Sequence, residues 1–529
     1  MQKEMSTNSV SKMSLTDELR WLKAERLTIT SVSKHAEDAF KAAAAVTVIT
    51  NEDIRRSGVR TIPEALRLAP GISVARINGN KSAVASRGFS NIYAENLLVL
   101  VDGRSVYQVN NSGVNWILED TLLEDIDRIE VVRGPGGTLW GANAVNGVIN
   151  IVTKSSKDAI GGYGSAGAGT EQRGFVYARY GEKVGDLGWL RGYFKHQDRE
   201  AHQNAFDWQK VTQGGLRFDR ETEDYRLTVS GDGMGTTYGD SVLIPAPPAP
   251  IGPASPKTPI SYRAERANAR VDYNRNWGDE TALSAQAYYD HSRDRSASLG
   301  SIQGQDVYDL DANFRFPVGA RLSSMIGLGY RYLPSNLNDH ALFGWVPNVR
   351  HQQLFSAFLH NEITLVEDRL KLTLGTKVEH NDFTGLEWAP NARLAWTPND
   401  LHTVWASVSR AVQVPGRNQN DVREGIVPFN QLPPLLGAFP LYVSYAGSTD
   451  VKAQELIGYE LGYRLQPVEE WSLGIATYYN FYDNLIYGEP NLAGIAPGAV
   501  PGTFILPSTA RSGGHGVTYG FELSAEYRA

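Results

Sequence analysis

The chain has 529 residues, a formal net charge of -7 at pH 7 and no cysteine. That acidic balance is the wrong sign for non-specific nucleic-acid binding, and the lack of thiols excludes disulfides and cysteine-built metal sites. Fifty-two glycines, 25 tyrosines and 11 tryptophans accompany a pattern in which no apolar run approaches the roughly 18 residues of a spanning helix.

Residues 1–34 are polar and mixed, with Leu15, Leu19 and Leu22 marking one amphipathic turn or two. No apolar stretch of a signal peptide follows Met1. Leu27-Thr28-Ile29-Thr30-Ser31-Val32 is an extended, β-prone hexamer. Ala45–Thr50 reads as a strand, Thr50 as a helix cap with Asp53 in the reciprocal position, and Gly58 as the stop. Thr61-Ile62-Pro63-Glu64 repeats the device, with Leu66 and Leu68 in the helix and Pro70-Gly71 ending it. Strands are expected at Ile72–Arg76, Ser82–Ser86 and Leu97–Val101, the last turning back at Asp102-Gly103. Ile129–Lys154 reads as strand, glycine-rich turn and strand, with the second strand over Val145–Thr153 and no helix between.

In the order VITNEDIRRSG, TIPEALRLAPGISV, ASRGF, LLVLVDGRSVY and IDRIEVVRGPGGTLWGANAVNGVINIVTK, about 110 residues resemble the plug domain of TonB-dependent outer-membrane receptors. The resemblance implies a transmembrane antiparallel β-barrel of about 22 strands with an N-terminal α+β plug in its lumen. It divides the chain into a flexible N-terminal segment (1–40), a plug (41–157) and a barrel (158–529). Such a receptor lies in the outer membrane of a Gram-negative bacterium and needs a leader that the given start does not show.

After Lys157 the texture becomes alternating. Tyr225, Leu227 and Val229 interleave with polar residues, as do Leu370, Leu372, Leu374 and Val378, and Trp471, Leu473 and Ile475. Short joins (Glu221–Asp224, Pro317–Ala320, Glu367–Arg369, Thr397–Asp400, Pro467–Glu470) alternate with long ones (His196–Gln209, Met234–Tyr262, Ser292–Asp306, Leu333–Gln352, Val412–Gln454, Asp483–Gly516), the membrane-barrel pattern. The proline-rich Pro245–Pro259 is expected as an external lid. About sixteen candidate strands are visible. A closed barrel of that size leaves roughly 11 Å of inner radius, too little for a plug of roughly 17 Å. The chain is therefore expected to lack C-terminal strands, with Gly161–Gly169 and Val517–Tyr527 unpaired. Late segments, Ser409–Arg417, Glu455–Arg464 and Gly520-Phe521-Glu522, also resemble the family, although Gln413 stands where an arginine is frequent.

No catalytic constellation is visible. Gly162-Tyr163-Gly164-Ser165-Ala166-Gly167 has the form G-x-G-x-x-G without a following helix and reads as small-residue packing in the first barrel strand. His196 and His202 read as loop histidines; no metal or cofactor is expected. The family resemblance makes Leu27, Thr28, Ile29, Thr30, Ser31 and Val32 the candidate TonB box, pairing by strand addition with a TonB-type energy-coupling protein. It also makes Arg87 and Arg133 plug residues locked to barrel glutamates Glu455, Glu460 and Glu522. Ligand contacts are expected from Arg76, Tyr107, Asn110, Asn111, Asn115 and Trp116, which mix amides with flat apolar surface. The function implied is energy-coupled uptake of a scarce solute, a ferric siderophore-type chelate first, with cobalamin, another metal chelate or an oligosaccharide as alternatives. Partners are then outer-membrane lipid, the coupling protein and the ligand, with the receptor a monomer. The rival from another class is a soluble all-β binding protein.

Overall fold

The computed structural model describes residues 27–242, 258–278, 280–340, 343–428, 441–468, 470–498 and 504–527. The described chain opens on a small clip, β1 (Thr28–Ile29) against β2 (Glu37–Asp38). Residues 27–40 are thus folded onto the plug, a correction to the expectation of a flexible lead. β3 (Ala45–Thr50) follows. Thr50 caps α1 (Asn51–Ser57): the Asp53 N–H donates to its hydroxyl, the Thr50 N–H donates to the Asp53 carboxylate at 2.8 Å, and Gly58 ends the helix at φ 69°. The second helix, α2 (Ile62–Ala65), is a single turn continued as a 3₁₀ turn. Within it Leu66 is buried and Leu68 exposed, since residues two apart diverge around a helix.

The rest of the plug is β4 (Ile72–Arg76), β5 (Ser82–Ser86), β6 (Leu97–Val101), β7 (Arg104–Ser105), β8 (Tyr107–Gln108), β9 (Gly113–Val114), β10 (Ile126–Arg133), α3 (Gly137–Trp140) and β11 (Gly147–Thr153). Asp102 and Gly103, both at positive φ, make the tight turn between β6 and β7, with Val101 opposite Arg104. The central sheet runs β3-β10-β11-β6-β7; only β11–β6 is parallel among the pairs that carry the core. Ile49, Ile126, Ile129, Ile149 and Ile151 are buried there with α1 and α2 over them. Two details differ from expectation. One helical turn, α3, sits inside the glycine-rich connection, with the Gly141 N–H donating to Gly137 O at 2.8 Å. The following strand starts at Gly147, because the Asn146 N–H donates to Asn96 O and Val145 packs instead against Ala411, Leu456 and Tyr482 of the wall.

The wall begins with β12 (Gly161–Gly167), β13 (Gln172–Val184), β14 (Gly188–Arg199), β15 (Gln209–Glu221), β16 (Tyr225–Val242) and β17 (Thr258–Trp277). It continues with β18 (Thr281–Ser296), β19 (Ser301–Pro317), β20 (Leu322–Leu337), β21 (Phe343–Trp345), β22 (Val349–Val366), β23 (Leu370–Asn381), β24 (Gly385–Asn399) and β25 (His402–Gln413). After α4 (Arg417–Asn420) come β26 (Val422–Pro428), β27 (Leu441–Ala446), β28 (Gln454–Val468), β29 (Trp471–Pro490), β30 (Ala496–Pro497) and β31 (Phe504–Tyr527). These form one 20-stranded sheet. Four of its members, β21, β26, β27 and β30, belong to the long connections, leaving sixteen consecutive strands among the described residues. The first, β12, pairs with β13, and the last, β31, with β29; no ladder joins β12 to β31 among the described residues.

Several connections are shorter than expected, because the antiparallel ladders run on past the alternating stretch. The join expected over Ser292–Asp306 contracts to residues 297–300. That over Met234–Tyr262 contracts to 243–257, which lies outside the described residues; Thr258 and Pro259 of the expected lid belong to β17, with Pro259 opposite Ser241. In β12 a Cβ on Gly162 or Gly164 would meet nothing within 4 Å, so those glycines do not serve close packing.

The wall is inverted relative to a water-soluble sheet. On β28, Ile457, Tyr459 and Leu461 are exposed while Leu456 is buried against the plug; on β31, Val517, Tyr519, Phe521 and Leu523 are exposed in alternation. The inner face instead carries Gln213, Arg266, Arg270, Asp290, Lys377 and Glu379, all buried around the plug. An apolar outer band with a polar lumen is what hydrocarbon outside and a polar plug inside require. Leu328, outward on β20 and 69% exposed, reports on that environment. Leu328→Arg should cost about 2–4 kcal/mol near the bilayer midplane and lower the fraction of heat-modifiable, folded receptor in outer-membrane fractions. A soluble sheet would accept the change without loss.

Candidate functional site

The plug presents two loops to the side of the wall that carries the long connections. In the first, the Asn78 side-chain oxygen accepts from the N–H groups of Asn80 and Lys81 and closes a tight turn. The turn is tied to the wall: the Gly79 N–H donates to Asp207 Oδ2 at 2.6 Å, Asn80 Nδ2 donates to Gly239 O at 2.8 Å, and Lys81 is ion-paired with Asp240. The second loop rides on the β8–β9 hairpin. There the Val109 N–H donates to Gln305 Oε1 at 3.0 Å and Asn110 Nδ2 to Gln303 Oε1 at 2.8 Å.

Between these loops and the ends of β16–β20 lies a pocket of about 150 Å³. It is lined by Asn110, Asn111, Asn115 and Trp116, four of the six ligand candidates, with Lys81, Tyr93, Tyr238, Asp240, Tyr262 and Asp294. Tyr238 and Tyr262 stack with ring centroids 4.9 Å apart, and Tyr238 Oη donates to Asp294 Oδ2 at 2.5 Å. Burial, reinforced by the Asp294 and Asp240 carboxylates, pushes the Tyr93 phenol up to about 12. The other two candidates are elsewhere. Arg76, at the end of β4, borders a separate cleft and faces Glu171 at 3.9 Å. Tyr107 turns into the interior, where burial raises its phenol pKa, and does not line the pocket. The wall contributors were within reach of the alternation: Val229 is outward on β16, so the even positions Tyr238 and Asp240 had to face inward.

A second constellation fixes the plug on the opposite side. Arg87 is ion-paired with Glu460 and, at 2.9 Å, with Glu522; Arg133 Nε lies 3.0 Å from the other Glu522 oxygen. The Arg87 guanidinium also covers the Tyr478 ring at 4.4 Å, and Ser407 Oγ donates to Glu460. Burial works against the charge on Arg87, but the two carboxylates outweigh it and its pKa is raised; on Arg133 burial prevails over Glu522 and, with Arg87 adjacent, its pKa is lowered. The backbone is bent to suit. Arg87 itself has φ 55°, and Gly134 has φ 96°, where a Cβ would stand 2.8 Å from Arg87 Nη1. Glu455 is not part of this cluster. It binds Arg410, its own wall neighbour, at 3.0 Å. It stands five positions from Glu460, and an odd offset along a strand means opposite faces.

Sequence reading missed the charges on the β13–β18 side. Arg104 meets Asp290 and lies 3.7 Å from Glu119, which also faces Arg266; Lys195 Nζ donates to Asp120 at 2.8 Å; Asp125 faces Arg179 and Arg191; Asp102 faces Arg217 and Arg270. All but Arg104–Glu119, which lies within the plug, join plug to wall, and no local pattern marks partners so far apart in sequence.

Leu27–Val32 is docked, not free. Ile29 is fully buried with Val32, Leu98, Leu100, Val132 and Val148. The N–H groups of Thr30 and Ser31 donate to one oxygen of the buried Glu130 at 3.0 and 2.9 Å, and Trp140 Nε1 donates to Ser31 O at 2.7 Å. Beyond it Lys34 pairs with Asp311 and His35 with Glu362 of the wall. The two loop histidines go separate ways, His196 to Thr212 and His202 to Asp207.

A family model described as "TonB dependent receptor-like, beta-barrel" matches residues 203–528, and one described as "TonB-dependent Receptor Plug Domain" matches residues 38–148. A ferric enterobactin receptor of Pseudomonas aeruginosa is 25% identical over 87% of this chain and 70% of its own length. A vitamin B12 transporter of Vibrio vulnificus is 23% identical over the same shares, 87% and 70%. Among solved structures, a siderophore receptor from Pseudomonas aeruginosa superposes with a TM-score of 0.69 at 20% identity, covering 90% of this chain and 81% of that one. One from Acinetobacter baumannii gives 0.71 at 19%, covering 92% and 78%.

With the geometry in hand, the double variant Arg87→Ala/Arg133→Ala should leave the wall folded, since its ladders do not involve these side chains. It should raise permeation of a large antibiotic through the receptor severalfold, as it leaves two buried carboxylates without cations. Permeation equal to that of the unchanged chain would reduce both arginines to strand-end residues.

Proposed function

Because this chain belongs to the TonB-dependent receptor family, whose barrel model spans most of it, we propose that it is an outer-membrane receptor for energy-coupled import of a ferric siderophore-type chelate. It carries a solute and catalyses no bond change. The observation that supports the solute site is the pocket over the plug, where amides and stacked tyrosines converge on the side of the long connections. Relatives named as enterobactin and siderophore receptors support the iron chelate. The vitamin B12 relative makes a corrinoid the second reading.

Import in this reading has three stages. The solute settles on Asn110, Asn111, Asn115 and Trp116 beneath the outer connections. The TonB-type coupling protein then takes Leu27–Val32 by strand addition, which requires that segment to leave Glu130 and Trp140. Withdrawing it uncovers a second cavity of about 500 Å³ between plug and wall, which Thr30 and Lys34 border. The Arg87–Glu460–Glu522–Arg133 cluster holds the plug in register meanwhile. In this reading the receptor acts as a monomer, with one plug to one wall.

Ile29→Pro tests the coupling segment. Proline cannot donate to an added strand, so energised uptake of a labelled solute should be lost while binding to whole cells persists. Undiminished uptake would place the coupling segment elsewhere; absence of saturable binding of ferric chelates and of cobalamin to the unchanged receptor would overturn the receptor reading itself.

A further inference from the structure

We infer that Arg417, outside the pocket, is a positioning residue for the solute site: it fixes the outer connection 414–421 onto the tip of the β8–β9 hairpin and so holds Asn110 and Asn111 in place. This rests on the reading of that pocket as the solute site.

The hairpin cannot place itself. Its strands, Tyr107–Gln108 and Gly113–Val114, are two residues each, and an isolated hairpin is marginal in water even at full length. Its tip is held from outside, at Val109. The Val109 N–H donates to Gln305 Oε1 of β19 at 3.0 Å, and Val109 O accepts from the Arg417 N–H at 2.8 Å. Asn110 and Asn111, the next two residues, line the pocket. Beyond them Ser112 is fully buried at φ 55°, and its hydroxyl lies within hydrogen-bond reach of the side-chain oxygens of Asn418, at 2.6 Å, and Gln419. The two pocket residues are thus bracketed by contacts to the single turn of α4.

The fit there is close. Gly416 has φ -96°, which any residue adopts, yet a Cβ on it would collide with Val109 O and Ser112 Oγ. Glycine stands at 416 for space, not for backbone freedom.

Arg417 holds this turn from behind, with its side chain fully buried. Nε donates to Asp421 Oδ2 at 2.7 Å, Nη1 to Ser335 Oγ and to Asn348 O, both at 3.1 Å, and Nη2 to Pro347 O. One planar set of donors therefore ties α4 to β20 and to the connection before β22. Ser335 itself lines the pocket, so the guanidinium reaches the site through the wall as well as through the hairpin. Arg417→Ala leaves Asp421 a second cation, Arg350 at 2.8 Å, so the change loosens the turn without stranding a buried carboxylate.

Amide hydrogen exchange of the full chain in detergent reads the hairpin whatever the solute is. In Arg417→Ala, and independently in Gly416→Ala, residues 107–116 should exchange about tenfold faster, the scale of one lost hydrogen bond to a buried charge. The β10–β11 ladder and the wall strands should keep their protection. Affinity is measured with a ferric tris-catecholate, a ferric trihydroxamate and cobalamin. For whichever of them the unchanged chain binds, Kd should rise about tenfold in both variants, because the site is no longer pre-organised. Unchanged exchange at 107–116 in both variants, or faster exchange spread over plug and wall, overturns the positioning role and leaves the receptor reading standing. Faster exchange confined to the hairpin with unaltered affinity overturns it too, since the hairpin would then not serve the site. Binding of none of the three by the unchanged chain overturns the receptor reading and this inference with it.

Discussion

A strand that faces hydrocarbon on one side must be apolar there, and its other side is then free to be polar. That constraint settles how this molecule is held together. The wall spends most of its leucines, isoleucines and aromatics outward, as at Ile457, Tyr459 and Leu461, so it shares with the plug only small apolar clusters, such as Val145 with Ala411, Leu456 and Tyr482, and Ile117 and Leu118 with Val211 and Met234. Between these clusters the plug is fastened by charges and hydrogen bonds: Arg87 and Arg133 on one side, Arg104, Glu119, Asp120 and Asp125 on the other. Buried ion pairs are geometrically exacting but contribute little net stability. The plug is therefore positioned closely and can still be displaced without dissolving the wall, whose ladders are independent of it.

The plug's own interior follows ordinary globular rules, and this is why it was legible in the sequence. Thr50 with Asp53, Pro63 after Thr61, Asp102-Gly103 and the β-branched run at Ile129–Val132 are local signals, and each sets an element within a few residues. Alternation exposed the wall in the same way. What local signals could not supply was partnership. Arg87 and Arg133 were visible because each precedes a glycine at a strand end, and two of their three expected partners, Glu460 and Glu522, do meet them. Glu455 could have been set aside on parity alone, being five positions from Glu460. The belt from Asp102 to Asp125 had no such handle, since its partners lie on strands distant in sequence and each is an ordinary polar residue there.

The pocket shows the same division. Asn110, Asn111, Asn115 and Trp116 were recognisable as a dense group of amides with an indole, whereas Tyr107 turned inward and Arg76 went to another cleft. Side-chain direction at a short hairpin such as β8–β9 depends on its docking against the wall, through Gln303 and Gln305, and not on the hairpin's own residues. The N-terminal segment is the clearest case. Its β-prone composition was readable, but its burial depends on Glu130, a hundred residues away, whose carboxylate satisfies the N–H groups of Thr30 and Ser31.

The central claim is that import requires Leu27–Val32 to leave the plug. The chain lacks cysteine, so Ser31→Cys introduces a single thiol at a buried position. Labelling it with a membrane-impermeant maleimide supplied from the periplasmic side, in cells that contain the coupling protein, measures that departure directly. The thiol should be unreactive in resting, de-energised cells and become reactive when solute is imported. Uptake that proceeds while the thiol stays protected, or equal labelling in both states, would contradict the account.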